Sequence, residues 1–117
     1  MKRRLVILPS LPLNIFSDYL DYNEEITLRV IRVRLEGAVS YVRRFKHIYG
    51  EIKCFIRHEG TVKLLSELLG IELRPSSEVY RFDEDDDIMV VTLKRPVRGV
   101  EVEKVSPEDV DVFFVFT

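Results

Sequence analysis

Apolar and polar residues fall into short blocks along this 117-residue chain, and the spacing within each block predicts an element. Leu5-Val6-Ile7-Leu8 is a continuous apolar run closed by Pro9. It predicts a short buried strand, followed by a turn or loop at Ser10-Leu11-Pro12. Residues 13–22 carry Leu13, Ile15, Phe16, Tyr19 and Leu20, spaced so that helix and loop cannot be separated. From Ile26 to Val33 the chain alternates, with Ile26, Leu28 and Val30 on one face and Thr27, Arg29 and Ile31 on the other. That is strand periodicity. In Glu36–His47, Val39, Val42 and Phe45 recur every third residue, with Arg43, Arg44 and Lys46 elsewhere. An amphipathic helix with a basic outer face follows, and Gly50 can end it.

The second half repeats this vocabulary. Glu51–Ile56 alternates through Ile52, Cys54 and Ile56, as a strand does. Thr61–Leu69 has one stripe of Val62, Leu65, Leu68 and Leu69, with Gly70 as a C-terminal stop, and predicts a helix. Glu78–Phe82 and Ile88–Lys94 predict a β-hairpin joined by the acidic tip Asp83–Asp87. Gly99–Val105 predicts a further strand. Ser106-Pro107-Glu108-Asp109 predicts a capped turn, and Val110–Phe116 an apolar closing strand. The expected fold class is α/β (α+β): a single domain over residues 1–117, with a mixed β-sheet of about five or six strands flanked by helices.

Composition narrows the function classes. Hydrophobic residues at 46% and charged residues at 32% describe a globular chain with a real core, not a disordered one. The single cysteine, Cys54, excludes an internal disulfide and reads as a small core residue. No apolar run is long enough to span a membrane, and prolines interrupt the one after the basic N-terminus, so neither a membrane segment nor a signal peptide is expected. A cytoplasmic location follows. The absence of Gln, with only two Asn and two Met beside abundant Arg, Lys and Glu, is a signature of hot-living sources.

The net charge of −2 conceals a segregation. Arg29–Lys63 holds nine basic and three acidic residues, whereas Glu78–Asp87 holds six acidic and one basic. A nearly neutral chain can therefore present one basic face to an anion.

Few residues carry candidate chemistry. His58 lies between a predicted strand end and a predicted helix start, beside Arg57, Glu59, Gly60 and Thr61. Helix N-termini offer unpaired amides to anions, and an imidazole there can deliver a proton; the plainer reading is a capping or surface histidine. Lys94-Arg95-Pro96-Val97-Arg98-Gly99 suits a phosphate clamp, although protection of a sheet edge is the more general use of such residues. Ser10 follows the first strand, where a hydroxyl can meet a phosphate or cap a turn. Asp83–Asp87 reads as a solvated hairpin tip, because its sixth position is Ile88 where a calcium loop needs glycine. His47 closes a helix and reads as structural. Tyr41, Phe45 and Tyr49 among basic residues could stack on bases, although Phe45 fits the core stripe better.

The stretch Phe55-Ile56-Arg57-His58-Glu59-Gly60-Thr61, continuing into Val62–Gly70, resembles the viral ring nucleases of archaeal viruses. These are type III anti-CRISPR proteins that degrade cyclic tetra-adenylate. Their pattern is an apolar strand end, Ile-Gly-His, two variable residues, Thr, and a Leu-rich helix ending in Gly. The start Leu5–Ser10, the Lys94–Gly99 turn and the closing strand are similar to the family as well; residues 13–50 match only loosely. The resemblance implies a homodimer with cyclic oligoadenylate held across its interface, no metal and no cofactor, and no membrane. A ribose 2′-hydroxyl attacks the adjacent phosphodiester, and the product carries a 2′,3′-cyclic phosphate. By the same resemblance His58 is the catalytic acid, Arg95 stabilises the phosphate, Ser10 is the serine near the ligand and Thr61 is the threonine that opens the helix. With Ser10 and Thr61, the residues' own placement makes Arg57, Gly60 and Arg98 ligand-binding candidates, from the strand end, the helix start and the clamp motif. The location becomes the host cytoplasm if the source is a virus. The chain departs from the pattern at three positions: Arg57 replaces the Gly before the histidine, Pro9 replaces Asn, and Arg98 stands at the acidic position. Glu59 and Glu101 are the acidic residues available as substitutes. The function expected is a metal-independent ring nuclease, an enzyme that switches off type III CRISPR signalling. The alternatives are a non-catalytic cyclic-nucleotide sponge or a DNA-binding regulator, and a structural protein whose C-terminal strand extends a dimer sheet.

Overall fold

The computed structural model describes residues 3–94 and 106–117. Its strands are β1 (Arg4–Leu8), β2 (Arg29–Val33), β3 (Ile52–Cys54), β4 (Asp86–Leu93) and β5 (Val110–Phe116). They form one five-stranded sheet in the order β2-β5-β4-β1-β3. β1 runs parallel to β3 and β4, whereas β5 is antiparallel to both β4 and β2, so the sheet is mixed. Two helices, α1 (Leu35–Ile48) and α2 (Glu59–Leu69), make it an α+β domain. Among the described residues no helix is long and apolar enough to cross a membrane.

Both faces of the central strands are covered, which explains their unbroken apolar runs. Leu5 and Ile7 of β1, Met89 and Val91 of β4, and Val110, Val112 and Phe114 of β5 pack under α1 and α2. The helices supply Ala38, Val42 and Phe45, and Val62, Leu65 and Leu69. On the other face Val6, Leu8, Ile88, Val90 and Val115 meet Ile15, Phe16, Tyr80 and Phe82 from irregular chain. Residues 13–22, where helix and loop were inseparable, form a 3₁₀ turn at Leu13–Phe16 that buries Ile15 and Phe16. Helix ends follow local chemistry: Gly70 takes a left-handed φ of 67° as the C-cap of α2, and Gly50 takes 85° just beyond α1.

Three expectations need correction. Residues 78–82 are not a hairpin strand, because both edges of β4 are already occupied, by β1 and β5. Tyr80 and Phe82 instead drop onto the sheet's second face, with the Phe82 ring 5.0 Å from Phe16 and 4.8 Å from Tyr19. The acidic tip is also not uniformly solvated. Asp83, Glu84 and Asp85 are exposed, but Asp86 and Asp87 open β4 and are paired. Arg4 grips Asp86 through Nε and Nη2 at 3.0 and 2.9 Å, with the Tyr80 hydroxyl donating to the same carboxylate. Asp87 accepts a single bond from Arg3 Nη2 and another from the Tyr41 hydroxyl. Finally, β5 lies between β2 and β4, so the C-terminal strand has no free edge with which to extend a second sheet. The predicted strand Gly99–Val105 lies outside the described residues. The capped turn is present as Pro107–Asp109, closed by reciprocal hydrogen bonds between Ser106 and Asp109.

Candidate functional site

β1 and β3 are parallel neighbours, so their carboxyl ends open at the same side of the sheet. Crevices outside strand carboxyl ends are where α/β sheets hold ligands. β1 delivers Ser10 there after Leu8 and Pro9; β3 delivers Arg57 after Phe55 and Ile56. Both side chains are exposed, and both line one cleft of about 310 Å³. Asn14, Glu78, Phe55 and Tyr80 line it as well, so the cleft combines an apolar wall with polar groups. Arg57 makes no ion pair among the described residues, which leaves its guanidinium free to fork onto an anion. Asn14 and Tyr80 were not singled out from sequence. The 3₁₀ turn and the collapse of residues 78–82 bring them in, and neither has a local signal.

His58 follows Arg57 directly and is the N-cap of α2, with extended backbone angles of −72° and 108°. The capping alternative for this residue is thus what the structure contains, and the cap constrains the ring. Nδ1 accepts from the Thr61 amide at 3.1 Å, and Thr61 Oγ1 sits 3.1 Å from the same nitrogen. A neutral imidazole that accepts at Nδ1 carries its hydrogen on Nε2. That Nε2 is buried and has no hydrogen-bond partner among the described residues. A buried donor left unmade costs about 1–3 kcal/mol, and such groups call for an explanation. Here the ring offers one N–H to an acceptor that the described chain does not supply.

The other ligand-binding candidates separate. Gly60 and Thr61 are buried in the first turn of α2, and Thr61 is only 2% exposed. Neither lines the cleft that holds Ser10 and Arg57, and nor does His58. Arg95 and Arg98 lie outside the described residues, as does Glu101. A larger cleft of about 570 Å³ lies at the same end of the sheet but beside β2 and β5, between Arg32, Arg34, Lys94 and Asp111; it takes in Lys94, where the clamp motif begins, but not Ser10, Arg57 or His58. Cys54 is buried as expected, and burial pushes its thiol pKa up, which makes it a poor nucleophile. Among the described residues no group of three or more His, Cys, Asp or Glu could hold a metal ion.

A five-stranded mixed sheet with both helices on one face is a fold found in a virus of an archaeon. Comparison with solved structures aligns the chain with B116 of Sulfolobus turreted icosahedral virus (STIV). The TM-score is 0.74, covering 97% of this chain and 99% of that one at 13% sequence identity. At that identity the likeness is one of fold. No protein-family model and no curated protein matches the chain.

Proposed function

We propose that this protein is a metal-independent ring nuclease for cyclic oligoadenylate, with cyclic tetra-adenylate as its substrate, acting as a homodimer to switch off type III CRISPR signalling. The observation that carries the reading is the capped His58, whose Nδ1 is held as an acceptor and whose Nε2 is a buried donor lacking an acceptor. The sharing of one cleft by Ser10 and Arg57, and a fold used by an archaeal virus, add support. In the reaction a ribose 2′-oxygen bonds to the adjacent phosphorus, its proton leaving to solvent. The bond from phosphorus to the 5′-oxygen breaks, and His58 protonates that oxygen. Arg57, with Arg95 by resemblance, opposes the charge that builds on the phosphorane. One positioned acid is worth about 10²–10⁴-fold in rate.

A second reading has its own observation. Full proton transfer is a reaction of the imidazolium, in which Nδ1 carries a proton and no longer accepts from the Thr61 amide. While that cap is closed and Nε2 covered, the chain is suited to hold a ring without cutting it, as a cyclic-nucleotide sponge. Incubation with cyclic tetra-adenylate in EDTA separates the two. The nuclease gives linear products ending in a 2′,3′-cyclic phosphate, and His58→Ala gives none. Tight binding with an intact ring establishes the sponge. Cleavage by His58→Ala at the wild-type rate removes His58 from the chemistry.

A further inference from the structure

Thr61 stands out among the described residues as the buried polar side chain, 2% exposed in a first helical turn that is otherwise apolar on its inner side. A buried hydroxyl needs a partner, and the one its Oγ1 has is His58 Nδ1 at 3.1 Å. The backbone amide of the same residue reaches the same nitrogen. Two groups of one residue therefore converge on one ring atom, and they differ chemically. An amide N–H only donates. A hydroxyl donates or accepts, according to how its hydrogen is turned.

That difference matters when the ring changes charge. Toward the neutral imidazole both groups donate to the Nδ1 lone pair. Toward the imidazolium Nδ1 bears a hydrogen, and the amide has lost its acceptor. The hydroxyl can rotate and accept from Nδ1–H across the same distance. We infer that Thr61 is a positioning residue for His58, whose hydroxyl keeps the ring in one orientation in both protonation states and so fixes the direction of the unpartnered Nε2. This departs from the ligand-binding role expected of Thr61 from sequence, because the hydroxyl is spent on the ring and the residue lines no part of the cleft.

The kinetic arm rests on the ring-nuclease reading; the spectroscopic arm does not. Thr61→Val keeps the shape and the amide but removes the hydroxyl, and Thr61→Ser restores it. With cyclic tetra-adenylate, Thr61→Val should lower kcat by about 10–100-fold, the worth of one hydrogen bond to a charged group, and leave KM within about twofold. Thr61→Ser should stay close to wild type. A raised KM with kcat unchanged means that the residue binds ligand, and overturns the inference. Thr61→Ser as impaired as Thr61→Val also overturns it. In ¹⁵N spectra of the imidazole, wild type should show Nε2 protonated and Nδ1 unprotonated but hydrogen-bonded. Thr61→Val should move the Nδ1 resonance toward that of a free imine nitrogen, and Thr61→Ser should not. If wild type carries the hydrogen on Nδ1, or if Thr61→Val leaves Nδ1 unmoved, the inference fails whatever the cleavage assay gives. If the ring is not cut but the spectra behave as stated, the nuclease reading fails and the positioning role stands.

Discussion

Replacing Asp86 by Ala should destabilise the fold more than any other change at a charged position among the described residues. Its side chain is 4% exposed, against 29% for its partner Arg4. The carboxylate accepts a bidentate pair from Arg4 and a third bond from the Tyr80 hydroxyl. Breaking a buried pair typically costs about 3–5 kcal/mol. The lower end applies here, because a partly exposed Arg4 can turn to water while the Tyr80 hydroxyl is left without its acceptor. About 3 kcal/mol corresponds to a melting-temperature drop of roughly 10–15 °C for a chain of this size. Tyr80→Phe alone should cost about 1.5–3 kcal/mol, the range for a hydrogen bond to a charged group. The two changes should not add, since the hydroxyl has nothing left to bond once Asp86 is gone; a coupling of about 1–2 kcal/mol is expected. Urea unfolding followed by circular dichroism, with unchanged m-values, measures all four corners of the cycle. A drop below about 3 °C for Asp86→Ala, or strict additivity, would show that the carboxylate is solvated after all.

Other expectations follow from the same contacts. His58→Asn should keep the cap and the stability, since Asn is a strong N-cap, whereas His58→Ala should cost about 1 kcal/mol; both should slow cleavage by about 10²–10⁴-fold, so unchanged melting with lost activity in His58→Asn is the signature to seek. Phe82→Ala should cost about 3–5 kcal/mol in urea unfolding, because the ring is 8% exposed against Phe16 and Tyr19; a loss under about 1 kcal/mol would mean that residues 78–82 do not cover the sheet. Burial, followed by the neighbouring Asp87, pushes the Tyr41 hydroxyl up to about 12. The unfolded chain ionises tyrosine near pH 10 while the folded one keeps its proton, so this contribution is whole below about pH 10 and declines toward pH 12. Tyr41→Phe should flatten that alkaline loss, and an identical slope in both proteins would contradict it.

What could be read from sequence was what is local. The closing strand Val110–Phe116 has the bounds its apolar run predicts, and the two helices extend their predicted spans by one or two residues. Their patterns depend only on near neighbours, as do the glycines that stop them. Residues 78–82 alternate as a strand would, but strand formation needs a free edge, and β1 and β5 had taken both edges of β4. The acidic block misled for the same reason: Asp86 finds Arg4 at a separation of 82 residues, which no local pattern announces. At the site, Ser10 and Arg57 were each legible as residues that follow a strand; that β1 and β3 are parallel neighbours, which brings the two to one sheet end, was not. The direction of the His58 ring was not legible, since it depends on which atom of Thr61 faces which nitrogen.

The placement of β5 also sets the order in which the molecule can assemble. β2 is hydrogen-bonded only to β5, and β4 needs β5 on one side, yet β5 is the last of these strands that a ribosome delivers. β1, β3 and β4 with their helices can gather early, whereas β2 must wait as an unpaired ribbon for a strand about eighty residues downstream to arrive between it and β4. Pairings so distant in sequence close slowly, because the loop entropy is lost before the contacts form. Until then one flank of β4 is open, and its apolar residues Ile88–Val91 form the stretch on which nascent chains would adhere to one another. A truncation that removes only Val110–Phe116 would therefore leave β2 with no place in the sheet and turn a folded domain into an aggregation-prone one.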